Sequence, residues 1–77
     1  MDIIERIKPL VEEIIFKEVG NDEPLYTSNL IDSMGTVDLA MMLGEEFNIK
    51  IDVRDIIESN FDSINKLATY IKSRVSE

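Results

Sequence analysis

Residues 30–35 read LIDSMG, with Ser33 between Asp32 and Met34 where a helical pattern begins. A serine hydroxyl is a nucleophile only when a base stands ready to take its proton. The chain has no histidine and no cysteine, and no lysine lies near Ser33 in sequence, so serine-histidine, cysteine-histidine and serine-lysine catalysis all lack a part. Two roles are left open. Asp32 or Ser33 can cap the helix by accepting hydrogen bonds from its first unpaired amides. Alternatively, Ser33 can carry a phosphate ester, because the same amides and the positive end of the helix dipole stabilise an anion there.

The helix that follows extends from Asp32 to Phe47 and carries two apolar stripes. Leu39, Leu43 and Phe47, with Thr36 and Ala40 beside them, recur at i, i+4 and i+8 and are enough to face a core. Met34, Val37 and Met41 form a second stripe on roughly the opposite side, bordered by Asp38 and Glu45. Either the neighbouring loop buries this second stripe, or it is an exposed apolar patch rimmed by acids, the usual mark of a partner surface. Methionine suits a surface that accommodates several partners.

Other elements must position this helix. Ile3, Ile4, Ile7, Leu10, Val11, Ile14 and Ile15 predict an amphipathic helix over residues 3–18, with Pro9 either kinking it or delaying its start to about Lys8. Val19–Ile31 lacks a sustained period and reads as a long loop, pinned to the core by Leu25, Tyr26, Leu30 and Ile31. Ile49, Ile51 and Val53 alternate too briefly for a sheet and read as a connector. A short helical turn is expected over Val53–Glu58, carrying Ile56 and Ile57. Asp62 is expected to cap a last helix whose Ile64, Leu67, Ala68, Ile71 and Val75 share a face. The fold class is therefore all-α, a small bundle of three main helices and one short one, in a single domain over residues 1–77.

A chain of 77 residues leaves no room for a deep, walled active site. Its 16 acidic and 8 basic residues give a formal net charge of −8, which argues against nucleic acid as a partner. No basic residue lies between Lys17 and Lys50, while Glu18, Asp22, Glu23, Asp32, Asp38, Glu45 and Glu46 all do. Such a one-signed field either steers basic partners or serves only solubility. No run of about 18 apolar residues could span a bilayer, and the charged start is unlike a secretory signal, so a cytoplasmic monomer is expected. No EF-hand loop is present, which speaks against a calcium-binding protein.

The run LIDSMGTVDLAMMLGEEFNIKI, followed by DIIESNFDSINKLATYI, resembles the acyl carrier protein family and its aminoacyl and peptidyl relatives over most of the chain. Asp32 and Ser33 match that family's Asp-Ser-Leu signature, with Met34 in place of leucine. Val37, Asp38, Leu39, Leu43, Glu45, Glu46, Phe47, Ile49 and Ile51 match in kind. The resemblance implies a four-helix bundle of acyl-carrier type that is not itself an enzyme. It also implies a 4′-phosphopantetheine arm on Ser33, attached by a phosphopantetheinyl transferase that uses coenzyme A, with Asp32 helping to present the serine. Cargo would ride on the arm as a thioester, placed there by an acyl- or aminoacyl-loading ligase and passed to a downstream synthase or transferase with a basic docking patch. Met34, Val37, Asp38, Met41 and Glu45 would form the docking surface. Gly35, Gly44 and Arg54 depart from the housekeeping fatty-acid carrier, and NFDSINKLATYI looks more like carriers of aminoacyl, peptidyl or specialised acyl groups. The alternative from another class is a non-catalytic interaction module in which Ser33 is only a helix cap.

Overall fold

A computed structural model describes residues 3–75 as a helical bundle; residues 1, 2, 76 and 77 of the expected domain lie outside the described residues. The elements are α1 (Ile3–Ile15), α2 (Ser33–Phe47), a 3-10 turn (Val53–Asp55), α3 (Glu58–Phe61) and α4 (Ile64–Val75). α1 packs against both α2 and α4, and α3 packs against α4. Three long helices and one short one is the expected architecture.

In α1, Ile7 and Val11 are fully buried, and Ile3, Ile4, Leu10, Ile14 and Ile15 pack around them. With these contacts holding its first turns, α1 is already helical at Ile3 and runs through Pro9, whose exposed position puts the ring on the solvent side. The end comes earlier than residue 18. Phe16 turns left-handed at φ 60°, and Val19 folds inward with its N–H donating to Glu12 Oε2 at 3.2 Å.

The segment between α1 and α2 is an ordered loop tied down over long distances. Leu25 is fully buried and its N–H donates to the Asp62 carbonyl at 2.7 Å. The Asp62 carboxylate accepts from the backbone N–H of Tyr26 (2.9 Å) and Thr27 (2.8 Å), and from Thr27 Oγ1. These bonds hold its pKa below the usual carboxylate value, the Thr27 backbone bond most strongly. Asp62 is therefore not the cap of α4 expected from the sequence. Ser63, 5% exposed, takes that role, its Oγ accepting from Lys66 N–H at 3.1 Å. Tyr26 is held through its backbone, and its side chain is exposed rather than pinned.

After α2, Asn48 adopts φ 55°, a left-handed cap that asparagine tolerates. The expected turn over Val53–Glu58 divides in two. Asp52 caps the 3-10 turn by accepting from Arg54 N–H, the chain is extended at Ile57, and α3 starts at Glu58. Ile56 packs against the core while Ile57 stays exposed; the buried anchor of this region is Phe61. Tyr70 Oη donates to Asp55 Oδ2 at 2.7 Å, tying the turn to α4. Burial, and then this bond, push the Tyr70 phenol up to about 12. Along α4, Ile64, Leu67, Ala68 and Ile71 are buried as expected, but Val75 is 42% exposed.

Candidate functional site

The first turn of α2 separates capping from exposure. Asp32 is the N-cap, with extended backbone (φ −90°, ψ 179°), and its Oδ1 accepts from Gly35 N–H at 2.6 Å. The Asp32 carbonyl accepts from both Thr36 N–H (2.9 Å) and Thr36 Oγ1 (2.8 Å). Thr36, only 1% exposed, thus anchors the turn from below. Ser33 is the first residue of the helix, is exposed, and its hydroxyl makes no hydrogen bond among the described residues. At Gly35 the turn lies close against its surroundings. A Cβ there would stand 3.1 Å from both Asp32 Oδ1 and an Ile31 side-chain carbon.

The two stripes of α2 part cleanly. Thr36, Leu39, Ala40 and Leu43 are buried against the bundle, and Phe47 is half-buried beneath Arg6, whose guanidinium lies 4.3 Å from the ring centre. Met34 (77%), Val37 (44%) and Met41 (62%) face solvent, so the loop does not bury the second stripe. Asp38 and Glu45 are exposed alongside it. Ser33, Met34, Val37 and Asp38 line one shallow notch of about 310 Å³, which places the serine and the upper stripe on a common surface.

The sequence did not reveal a neighbouring groove of about 540 Å³. Val37, Ala40, Met41 and Gly44 of α2 form one wall, and Ile49, Ile51, Val53 and Ile56 of the connector form the other. The alternation Ile49, Ile51, Val53 was the available signal, for it gives an otherwise unpaired segment a continuous apolar side.

Chemically, the site offers one accessible alcohol at the positive end of a 15-residue helix. With Asp32 already satisfying Gly35 N–H, esterification of Ser33 would displace no hydrogen bond of the fold and would place a phosphate beside the first-turn amides. A phosphate-linked group therefore fits. No group of three or more acidic side chains is disposed to hold a metal ion among the described residues.

Residues 5–71 match the family described as the phosphopantetheine attachment site. The chain belongs to this family. It is accordingly a carrier protein, not itself catalytic, whose cofactor is covalently attached 4′-phosphopantetheine. The carrier is also similar to the D-alanyl carrier protein of Streptococcus suis (strain 05ZYH33), with 35% identity over 69 residues covering 87% of each chain. Its identity to the D-alanyl carrier protein of Streptococcus sanguinis (strain SK36) is 32%, again over 87% of both. A carrier of this kind implies partner ligases and transferases. Among the described residues, no helix is long and apolar enough to cross a membrane.

Proposed function

We propose that Ser33 carries the phosphopantetheine arm and that the carrier, one domain over residues 1–77, presents a small aminoacyl group of the D-alanyl class to cytoplasmic partner enzymes. The observation that carries this is the division of labour at the start of α2: Asp32 caps, leaving the Ser33 hydroxyl exposed and unengaged. In attachment, the bond from Ser33 Oγ to the phosphopantetheine phosphorus forms as the pyrophosphate of coenzyme A breaks, and adenosine 3′,5′-bisphosphate leaves. The hydroxyl proton leaves to a base of the phosphopantetheinyl transferase, since this chain has no histidine to take it. Once in place, the arm supplies the thiol that holds the cargo as a thioester.

An aminoacyl cargo is supported by the similar proteins, which are named D-alanyl carrier proteins. Ile7, Leu39, Leu43, Leu67 and Ile71 fill the bundle interior at zero exposure, and an aminoacyl ammonium would be costly to bury among them. The cargo then stays outside, where a tethered arm raises its concentration at each docked active site. Met34, Val37 and Met41 would supply the apolar part of docking, and Asp38 and Glu45 the charge that meets a basic patch on the loading ligase and the downstream transferase.

Intact mass before and after incubation with coenzyme A, magnesium and a phosphopantetheinyl transferase tests the attachment. The parent is expected to gain one phosphopantetheine and Ser33→Ala none. A folded, initially unmodified parent that gains nothing would leave Ser33 without a role and return the domain to a plain interaction module.

A further inference from the structure

Phe16 is a large aromatic side chain that is 90% exposed, on a residue with φ 60°. Each property is unfavourable alone. The left-handed region suits glycine or asparagine at a helix end, and a bulky side chain there is strained. Nothing loose accounts for it, because the chain on both sides is fixed. Phe16 N–H donates to the Glu12 carbonyl at 2.8 Å, Val19 N–H donates to Glu12 Oε2 at 3.2 Å, and Lys17 Nζ lies 3.5 Å from Glu23 Oε2. The aromatic ring is held out into solvent by a built turn.

This turn adjoins the start of α2. Ile14, two residues before Phe16, would meet a Cβ on Gly35 at 3.5 Å, and Gly35 is two residues after Ser33. Ile14, Leu30, Met34 and Gly35 wall an open notch of about 390 Å³ between the two helix ends. Two residues of chain span no more than about 7 Å, so the two spans and the contact between them put Phe16 and Ser33 within about 20 Å of each other, less than the width of one interface of about 800 Å². Glu13, Glu18, Asp32 and Asp38 are exposed on the two helix ends and the adjoining turn, while Lys17, next to Phe16 in sequence, is matched to Glu23.

We propose that Phe16 anchors the transferase that attaches the arm, its ring entering an apolar pocket with a basic rim on that enzyme. This rests on Ser33 as the attachment residue. The transferase is the partner singled out because it must bring its active site to Ser33 Oγ itself. Enzymes that use the loaded thiol are reached through the arm and can sit farther off.

Phe16→Asn and Phe16→Gly separate docking from folding, since both residues accept a left-handed backbone better than phenylalanine. Each is expected to lower kcat/KM for arm attachment by about tenfold, mainly through KM, while the unfolding temperature stays equal or rises. Undiminished kcat/KM in both variants would overturn the proposal. Concentration-dependent self-association of the parent that disappears in Phe16→Asn would also overturn it, by assigning the ring to a second copy of the chain. Ser33→Ala, assayed in parallel, must accept no arm; if it does, the attachment assignment fails, whatever Phe16 does.

Discussion

Asp32 and Ser33 are adjacent hydroxyl- or carboxylate-bearing residues of a kind that compete for the same helix cap, and the backbone settles the competition. Asp32 has the extended ψ of 179° that a cap requires, so its carboxylate reaches Gly35 N–H, and Ser33 is left inside the first turn with a free hydroxyl. Cap and charge can be separated by mutation. Asp32→Ala removes both and is expected to lower stability by about 1 kcal/mol. Asp32→Asn retains a side-chain acceptor and should keep most of that stability. Slower arm attachment by Asp32→Asn at unchanged melting temperature would assign the Asp32 charge to presenting Ser33. Equal rates would confine Asp32 to capping. Denaturant unfolding and a mass-based attachment assay measure the two quantities independently.

Among the elements, the loop that delivers the chain to α2 depends on a residue 35 positions away. Asp62 binds the amides of Tyr26 and Thr27, so Asp62→Ala should free residues 26 and 27, with Leu25 still held by the residue 62 carbonyl, and destabilise the fold by about 1 kcal/mol, allowing for the solvent around the carboxylate. Because the pKa of Asp62 is lowered by folding, its contribution is present above the ordinary carboxylate value and is lost as pH falls through the lower folded one. The stability gap between parent and Asp62→Ala is therefore expected to close in acid, which urea titrations over a pH series would show. No local pattern could have disclosed this tie. Aspartate is a favoured cap and Ser63 an equally good one, so residues 62 and 63 are ambiguous until the partner at Thr27 is known. The α1, α2 and α4 faces were legible because periodic burial leaves a local record in Ile7, Val11, Leu39, Leu43, Leu67 and Ile71. At Ser33 the pattern marked only a helix start, with a cap and an ester site both open, and the family resemblance of the LIDSMG run was what singled the serine out. The exposure of Met34, Val37 and Met41 was not legible, since it depends on the loop packing Leu25 and Ile31 elsewhere. Nor was the use of Gly44. A mid-helix glycine looks like a cost of about 1 kcal/mol, yet a Cβ there would stand 3.0 Å from the Ile49 carbonyl oxygen where the connector folds back.

Across the whole molecule, charge is segregated along the chain, and the fold keeps it so. No cation lies between Lys17 and Lys50, the span that includes all of α2, and Asp32, Asp38 and Glu45 stand exposed on it. Arg6 does reach the far end of α2, donating to Glu46 Oε2 at 3.0 Å and to the Glu46 carbonyl at 2.7 Å, but there it neutralises the C-terminal turn rather than the Ser33 end. The molecule measures 31 × 27 × 19 Å, several Debye lengths across at physiological salt, where that length is about 8 Å. A partner therefore senses the local acidic face more than the net charge. Asp38 makes no ion pair among the described residues and is exposed in mid-helix, so its charge can be reversed without breaking a contact of the fold. Asp38→Lys is expected to slow arm attachment by about fivefold at low salt, with helicity and melting temperature nearly unchanged. The ratio of parent to variant kcat/KM should shrink as ionic strength rises, because screening weakens attraction and repulsion alike. A ratio independent of salt would instead make Asp38 a short-range contact, and equal rates at low salt would remove it from the docking surface. Asp38→Asn, which removes the charge without reversing it, should fall between the two if the field is what the partner reads.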